Sequence, residues 1–241
     1  MWWVWLGVFG AVALSSAAQA VSGFGFALIG APLVALLVGP HDAVVGLTMI
    51  GIVLVSQLTL RSRGHVEWPV VLVVTAAAIL GMPFGLFVLE RADERTLTAI
   101  IAIVVIAFAI LLWRGLRVPP NRITHGIAGF VAGVLSTSTS TSGPPIVIAL
   151  SGRGLTPSAF RGTISAIFLV QGSVAMLAFA LGGEITSGAF GVAAAGLPGL
   201  LLGSYIGEHG FKRLDAETFR RLVFAMLLLS GVVSLIGALL S

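Results

Sequence analysis

Seven consecutive hydroxyl-bearing residues occupy positions 136–142, inside an otherwise apolar segment, and are followed by Gly143 and two prolines. A second polar interruption, SGFGF at 22–26, precedes Pro32 in the first part of the chain. Both sequences disfavour a continuous helix. A helix that starts after such a break presents unpaired N–H groups and a positive dipole end, which bind an anion without a charged side chain. The sequence therefore predicts two anion-binding breaks, with helices starting after Gly25 and Gly143.

The candidate substrate ligands are the residues at these breaks and a few polar side chains within apolar segments. Glycine allows close backbone approach to a ligand, and serine or threonine hydroxyls donate hydrogen bonds. A glutamine in an apolar segment needs a partner, so it either reaches the substrate or bridges helices. Arginine one turn into a helix either attracts anions to a cytoplasmic vestibule or snorkels to the interface. The candidates are Ser22, Gly23, Gly25, Ser138, Thr139, Ser140, Thr141, Ser142, Gly143, Gln19, Gln57, Gln171 and Arg161.

Close helix packing is the alternative explanation for small residues in a membrane protein. It is favoured for the glycines with four-residue spacing, which are Gly81, Gly85, Gly203 and Gly207. For the two breaks a functional role is favoured, because seven successive hydroxyl residues exceed what packing requires.

Residues that would form other kinds of functional site are scarce in the sequence. The chain has no cysteine, and no Asp or Glu lies deep inside an apolar span, which weakens a carboxylate-driven proton or sodium relay. The four histidines fall near span ends. We therefore predict no metal and no cofactor. The coupling ion stays open between a proton and sodium, since unwound backbone carbonyls can hold sodium without a charged signature.

The elements that position the breaks are membrane-spanning helices. Of 241 residues, 58% are hydrophobic and 9% charged, against about 25% charged in soluble domains. About 20 apolar residues cross a bilayer as a helix. Six uninterrupted spans fit this length, at 42–60, 66–88, 95–113, 158–181, 186–207 and 217–240.

Two further apolar segments, 2–38 and 123–150, contain the breaks. Irregular backbone inside a bilayer must be buried in protein or line a wet cavity, so each segment is predicted to form two half-helices. The motif SSAAQA at 15–20 resembles a signal-peptide cleavage site, but no positive charge precedes it. The aromatic start MWWVW instead indicates an interfacial anchor.

The positions of lysine and arginine indicate how these segments cross the membrane. If each interrupted segment returns to the side it entered, 11 of the 13 cations lie on one side and only Arg91 and Arg95 on the other. A single crossing for each would give 5 against 8. The hairpin-like arrangement is therefore predicted, with both termini outside. The 11 cations are Arg61, Arg63, Arg114, Arg117, Arg122, Arg153, Arg161, Lys212, Arg213, Arg220 and Arg221.

An internal repeat divides this single membrane domain into residues 1–118 and 119–241. GMPFG at 81–85 and the following Asp93 match GSYIG at 203–207 and Asp215, at an offset of 122. APLVALL matches PPIVIAL at 113, and Gly46 matches Gly162 at 116. Each half would cross the bilayer an odd number of times, which predicts two inverted repeats, each an interrupted element followed by three transmembrane helices.

The chain resembles the sulfite exporter TauE/SafE family over nearly its whole length. The first half carries the resemblance in VSGFGFALIGAPLVALLVGPHDAVVGL, RSRGHVEWP and GMPFG, and the second half in STSTSTSGPPIVIAL and GSYIG. Members often have a run of glycines where this chain has GFGF and the Ser/Thr tract. The resemblance implies export or uptake of sulfite or organosulfonate anions.

We therefore predict a secondary transporter or facilitator that moves a small sulfur-containing oxyanion across the bacterial cytoplasmic membrane. An anion channel and a structural subunit are alternatives. A membrane-embedded enzyme is another, although no acid pair, metal cluster or activated nucleophile lies at membrane depth. The chain lacks a GxxxxGK phosphate loop. The predicted partners are lipid and the anion, with a homodimer left open and nucleic acid excluded, because topology accounts for the basic loops.

Overall fold

The computed structural model describes residues 2–115 and 118–210, together with Val232. Every regular element in this part of the chain is helical. The helices are α1 Trp2–Ser22, α2 Phe26–Val38, α3 Pro40–Ser62, α4 Trp68–Arg91, α5 Glu94–Trp113, α6 Arg122–Thr139, α7 Gly143–Ser151, α8 Pro157–Gly182 and α9 Ser187–Gly210, with a 3₁₀ turn at Arg63–His65. Outside the described residues lie the predicted span 217–240 apart from Val232, and also Asp215, Arg117, Lys212, Arg213, Arg220 and Arg221.

Six of these helices, α1, α3, α4, α5, α8 and α9, are long and apolar enough to cross a membrane. At 1.5 Å per residue, the 23 residues of α3 extend over about 34 Å, which exceeds a hydrocarbon core about 30 Å thick. Large apolar side chains remain exposed along them, including Leu72, Leu80 and Phe84 on α4. This surface suits lipid. The predicted all-helical, multi-pass membrane fold is confirmed.

Both interrupted segments turn back on themselves. A Cβ added to Gly7, near the start of α1, would lie 2.9 Å from Leu37 Cδ1, near the end of α2. Likewise, a Cβ on Gly152 after α7 would lie 2.4 Å from the carbonyl oxygen of Val118, ahead of α6. The entry and exit of each segment therefore lie at the same end of the helix bundle, as the hairpin-like arrangement predicts.

The glycines with four-residue spacing lie where helices touch through their backbones. An added Cβ on Gly85 of α4 would lie 2.0 Å from the Val134 carbonyl oxygen of α6, and one on Gly203 of α9 would lie 2.0 Å from that of Ala13 in α1. Gly81 and Gly207 make corresponding approaches, at 2.2 and 2.6 Å. The packing interpretation of these four residues is confirmed.

Helices of one half pack on helices of the other: α4 packs on α6, and α9 packs on α1. This reciprocal packing is expected if α1–α4 and α6–α9 are related by a two-fold axis. The start of α3 contacts the segment after α8 through the His41–Glu184 pair, so these corresponding helices run in opposite directions. Inverted placement of the halves in a bilayer, and the boundary near residue 118, stay predictions.

Polar side-chain pairs join the halves at both ends of the bundle. At one end His41 pairs with Glu184. At the other, Arg61 pairs with Glu208, and Arg153 Nη2 lies 3.7 Å from Glu67 Oε2. The space between these ends is occupied by α3 and α8, which pack against each other through the centre of the molecule.

Candidate anion-binding site

A cavity of about 70 Å³ lies between the two breaks and the central parts of α3 and α8. Gly51, one of its lining residues, is the middle residue of α3, so the cavity lies about halfway along a helix long enough to span the bilayer. It is lined by Gln19, Gly25, Phe26, Ala27, Leu28, Leu47, Thr48, Gly51, Ile52, Val55, Ser136, Ser140, Thr141, Ser142, Gly143, Phe168, Gln171 and Gly172.

The first break contributes the start of α2 to this cavity. Gly23 and Gly25 have φ values of 84° and 106°, which allow the chain to leave α1 and enter α2. The side-chain oxygen of Gln19 accepts the Phe26 N–H at 2.9 Å. The N–H groups of Ala27 and Leu28, in the same first turn, have no acceptor within the helix and belong to cavity-lining residues.

The second break is built differently. Ser140 ends α6 with φ 58°, the only non-glycine residue with positive φ in the described part of the chain. Its hydroxyl lies 3.2 Å from Thr48 Oγ1. Because the Thr48 hydroxyl donates to the Val44 carbonyl oxygen at 2.8 Å, Ser140 donates to Thr48. The break is thereby tied to α3.

Helix α7 offers fewer main-chain donors in its first turn than α2 does. The helix begins at Gly143 and not after it, and its next two residues are prolines, which carry no N–H. Among the first three residues of α7 only Gly143 carries an N–H, and the preceding N–H belongs to Ser142. The predicted start after Gly143 differs from the observed start by one residue.

The Ser/Thr tract divides between the cavity and helix packing. Four of its members line the cavity: Ser136, Ser140, Thr141 and Ser142. The hydroxyls of Ser138 and Thr139 instead donate to the carbonyl oxygens of Val134 and Leu135, at 2.8 and 3.0 Å. Thr137 donates to the Met82 carbonyl oxygen at 2.7 Å, in the α4–α6 contact. These three hydroxyls satisfy backbone groups.

The model of the sulfite exporter TauE/SafE family matches residues 8–234. The chain belongs to this family. It is also similar to the probable sulfite/organosulfonate exporter TauE of Cupriavidus necator, with 22% identity over 184 residues, which cover 73% of this chain and 71% of that protein. No solved structure matches the chain. Because the family is one of exporters, this TauE/SafE member is a membrane transport protein and not an enzyme.

In this TauE/SafE member, seven predicted ligands line the cavity and six do not. The seven are Gln19, Gly25, Ser140, Thr141, Ser142, Gly143 and Gln171. The other six are Ser22, Gly23, Gln57, Ser138, Thr139 and Arg161. Ser22 closes the first break locally: its hydroxyl donates to the Ala18 carbonyl oxygen at 2.8 Å and accepts the Phe24 N–H at 3.2 Å. Gln57 is partly exposed on α3.

Two polar lining residues, Thr48 and Ser136, were absent from the predicted ligands. Ser136 lies one helical turn before Ser140, so α6 periodicity brings both to the same face. That spacing was readable in the sequence. Thr48 stands in an ordinary apolar span, and nothing in its sequence context distinguishes it. Only the long-range contact with Ser140 reveals its position.

Among the residues that the structure describes, no charged side chain lines the cavity. Its polar groups are hydroxyls, two glutamine amides and backbone N–H groups. No group of three or more His, Cys, Asp or Glu residues positioned to hold a metal ion was found within the described part of this TauE/SafE member.

Arg161 supports the first break from outside the cavity. Its Nη2 donates to the Ala20 carbonyl oxygen at 2.7 Å, in the last turn of α1. Carbonyls there lack helical partners, and a positive charge at a helix C-terminus is favourable. Its side chain also borders Gly23, where an added Cβ would lie 3.1 Å from Arg161 Cγ.

We expect Arg161→Met to lower the free energy of unfolding by about 1–3 kcal/mol, because it leaves the buried Ala20 carbonyl unpaired. Thermal unfolding in detergent measures the effect. Arg63→Met is the control, since Arg63 is exposed on the 3₁₀ turn. Equal unfolding temperatures for the two variants would contradict this supporting role.

Proposed function

We propose that this chain carries a small sulfur-containing oxyanion, such as sulfite or a short organosulfonate, through the cavity between the two breaks. The observation that carries the proposal is a set of unused hydrogen-bond donors around one cavity. No hydrogen bond within the described residues uses the hydroxyls of Ser136 and Ser142 or the side-chain amide of Gln171. An oxyanion needs several convergent donors, and these groups would supply them.

The size of the cavity suits such a ligand. A cavity of about 10–15 Å³ already admits one water molecule, so about 70 Å³ is enough for an anion of a few heavy atoms. The class of anion comes from the family and from the relative named for sulfite and organosulfonate.

Burial of the cavity supports a carrier mechanism. Gln171 and Thr141 are each 1% exposed, so a ligand beside them would be largely shielded from solvent during part of the transport cycle. Release would require the two halves to move relative to each other, as in transporters built from repeats. The pairs His41–Glu184 and Arg61–Glu208 join the halves at opposite ends. Opening each end would break one of them.

We place the protein in the bacterial cytoplasmic membrane, with both termini on the outer side. The hydrogen-bond donors of the cavity can bind an anion without a coupled ion. Facilitated diffusion of the anion and its transport coupled to a proton or sodium are therefore both compatible with this site. Flux measured in proteoliposomes with and without each gradient separates these modes.

The double variant Ser136→Ala, Ser142→Ala tests the site. We expect the KM for sulfite to rise about tenfold for each hydroxyl removed, since a hydrogen bond to a charged group contributes about 1.5–3 kcal/mol. Flux of labelled sulfite into proteoliposomes measures it. Ser138→Ala is the matched control, because that hydroxyl is bonded to Val134 outside the cavity.

An unchanged KM in the double variant would remove these hydroxyls from the site. Counterflow tests the carrier mechanism separately. Labelled sulfite should accumulate transiently against its gradient when unlabelled sulfite is preloaded, and its failure to do so would favour a channel.

A further inference from the structure

Gln171 is a buried amide with both of its polar atoms unsatisfied. Within the described residues neither Nε2 nor Oε1 has a hydrogen-bond partner; Gln171 is 1% exposed and lines the cavity between the breaks. A buried amide without partners costs several kcal/mol in an apolar environment. This cost would be offset if a ligand in the cavity bonds to both atoms.

The two polar atoms of Gln171 require different groups on that ligand. The amide nitrogen donates, so it suits an anionic oxygen. The carbonyl oxygen only accepts, so it repels an anionic oxygen and suits an O–H group. Because both atoms are unpaired, this requirement does not depend on which way the amide is turned. A ligand that satisfies Gln171 carries an acceptor and a hydroxyl together.

The charge of the cavity limits the charge of its ligand. No cationic side chain of the described ranges 2–115 and 118–210 lines it. Arg161 on α8 is engaged with the Ala20 carbonyl oxygen. His41, Asp42 and Arg61 belong to the end turns of α3, and His125 to the first turn of α6. Desolvating a second negative charge here would have no cation to balance it.

Resting on the proposed function, we infer that the site selects a singly charged anion that also carries an O–H group, and that Gln171 is the residue that recognises this group. For sulfite, which exchanges a proton near neutral pH, the selected form is hydrogensulfite. The doubly charged form lacks the hydroxyl that Oε1 requires and brings the second charge that the cavity cannot balance.

A comparison of two sulfonates separates the effect of the ligand's hydroxyl from the effects of its charge and size. Hydroxymethanesulfonate and ethanesulfonate are both singly charged and have the same number of non-hydrogen atoms, and they differ in a terminal hydroxyl against a methyl group. We expect the purified full-length protein to bind hydroxymethanesulfonate about tenfold more tightly, since leaving a buried acceptor unpaired costs about 1–3 kcal/mol. Binding is measured by calorimetry in detergent.

Gln171→Met should bind the two sulfonates equally, because it removes both polar atoms while keeping a similar length. Gln57→Met is the matched control and should keep the tenfold preference, since Gln57 lies outside the cavity lining. The apparent affinity for sulfite should fall as the pH rises and hydrogensulfite loses its proton, whereas the affinity for hydroxymethanesulfonate should stay level.

The outcomes separate this inference from the proposed function. Equal binding of the two sulfonates by the unmodified protein, or a preference that survives in Gln171→Met, overturns the role of Gln171 and leaves the transporter intact. A sulfite affinity that does not change with pH overturns the selection of hydrogensulfite. Absence of binding by all of these anions overturns the proposed function together with the inference.

Discussion

Sulfite flux through Gly143→Leu should fall by about a hundredfold or more while the protein stays folded, because the new side chain would occupy the ligand's place. Gly143 is the first residue of α7 and lines the cavity. A Cβ added there would point toward Phe168, 3.5 Å from its Cζ, and would lie 3.8 Å from Phe24 Cβ. Both are ordinary contact distances. Because Gly143 lines the space of about 70 Å³, we expect the longer leucine side chain to reach into it.

Gly143→Ala is the matched control for this effect. Its methyl group fits the available space, and Gly143 is not among the glycines with positive φ, so alanine adopts the same backbone. We expect it to keep most of the flux. Size-exclusion chromatography and thermal unfolding establish that both variants fold. Normal flux in the folded leucine variant would show that the substrate passes elsewhere.

The helices were predictable because lipid leaves a chain few choices. Wherever an apolar stretch is long enough to cross the bilayer, its backbone groups must bond internally, and a helix follows. For this reason the structure has a helix at Trp68–Arg91 where the span 66–88 was predicted. It has another at Pro157–Gly182 where 158–181 was predicted. The breaks were predictable by the same argument in reverse, since glycine and hydroxyl residues interrupt what the bilayer otherwise enforces.

The function of each hydroxyl was not predictable from the tract. Within a uniform Ser/Thr run, every residue has the same chemistry, and helix geometry alone decides its direction. Ser138 and Thr139 turn back to carbonyls of the preceding turn. Ser142, beyond the end of α6, lines the cavity. Ser136, inside α6, also lines the cavity, so both the face of α6 and its end decide which hydroxyls reach the cavity.

Corresponding residues of the two halves line the cavity together, and their separation along the chain differs slightly from the offset of the sequence repeat. Gly23 and Ser140, which have positive φ at the two breaks, are 117 residues apart, whereas APLVALL and PPIVIAL match at 113. The difference is about one helical turn. Lining residues pair at 117 or 116, as Gln19 with Ser136, Gly25 with Ser142, Phe26 with Gly143, Ile52 with Phe168, and Val55 with Gln171.

These pairs place corresponding positions of the two halves around one cavity, as expected for a site on a two-fold axis. The chemistry at those positions is not symmetric. Gln171 corresponds to the apolar Val55, and Gln19 to Ser136. The cavity lining therefore includes an amide from α8 where α3 contributes an apolar side chain.

The contact between α4 and α6 should be the most sensitive part of the scaffold. A Cβ on Gly133 would lie 2.0 Å from the Ala78 carbonyl oxygen, which forces the two backbones apart. We expect Gly133→Ala to lower the free energy of unfolding by about 1–3 kcal/mol or more, as overpacking does. It should also weaken sulfite flux, because α6 ends at the second break.

Gly126→Ala separates this packing effect from helix propensity. Gly126 lies on the same helix, and an added Cβ meets nothing within 4 Å. Alanine is favoured over glycine in a helix interior by about 0.5–1 kcal/mol, so this variant should unfold at the same temperature as the unmodified protein or a higher one. Thermal unfolding in detergent compares the two. If Gly133→Ala were as stable as Gly126→Ala, α4 and α6 would have room to separate, and close backbone contact would not be what holds the second break in place.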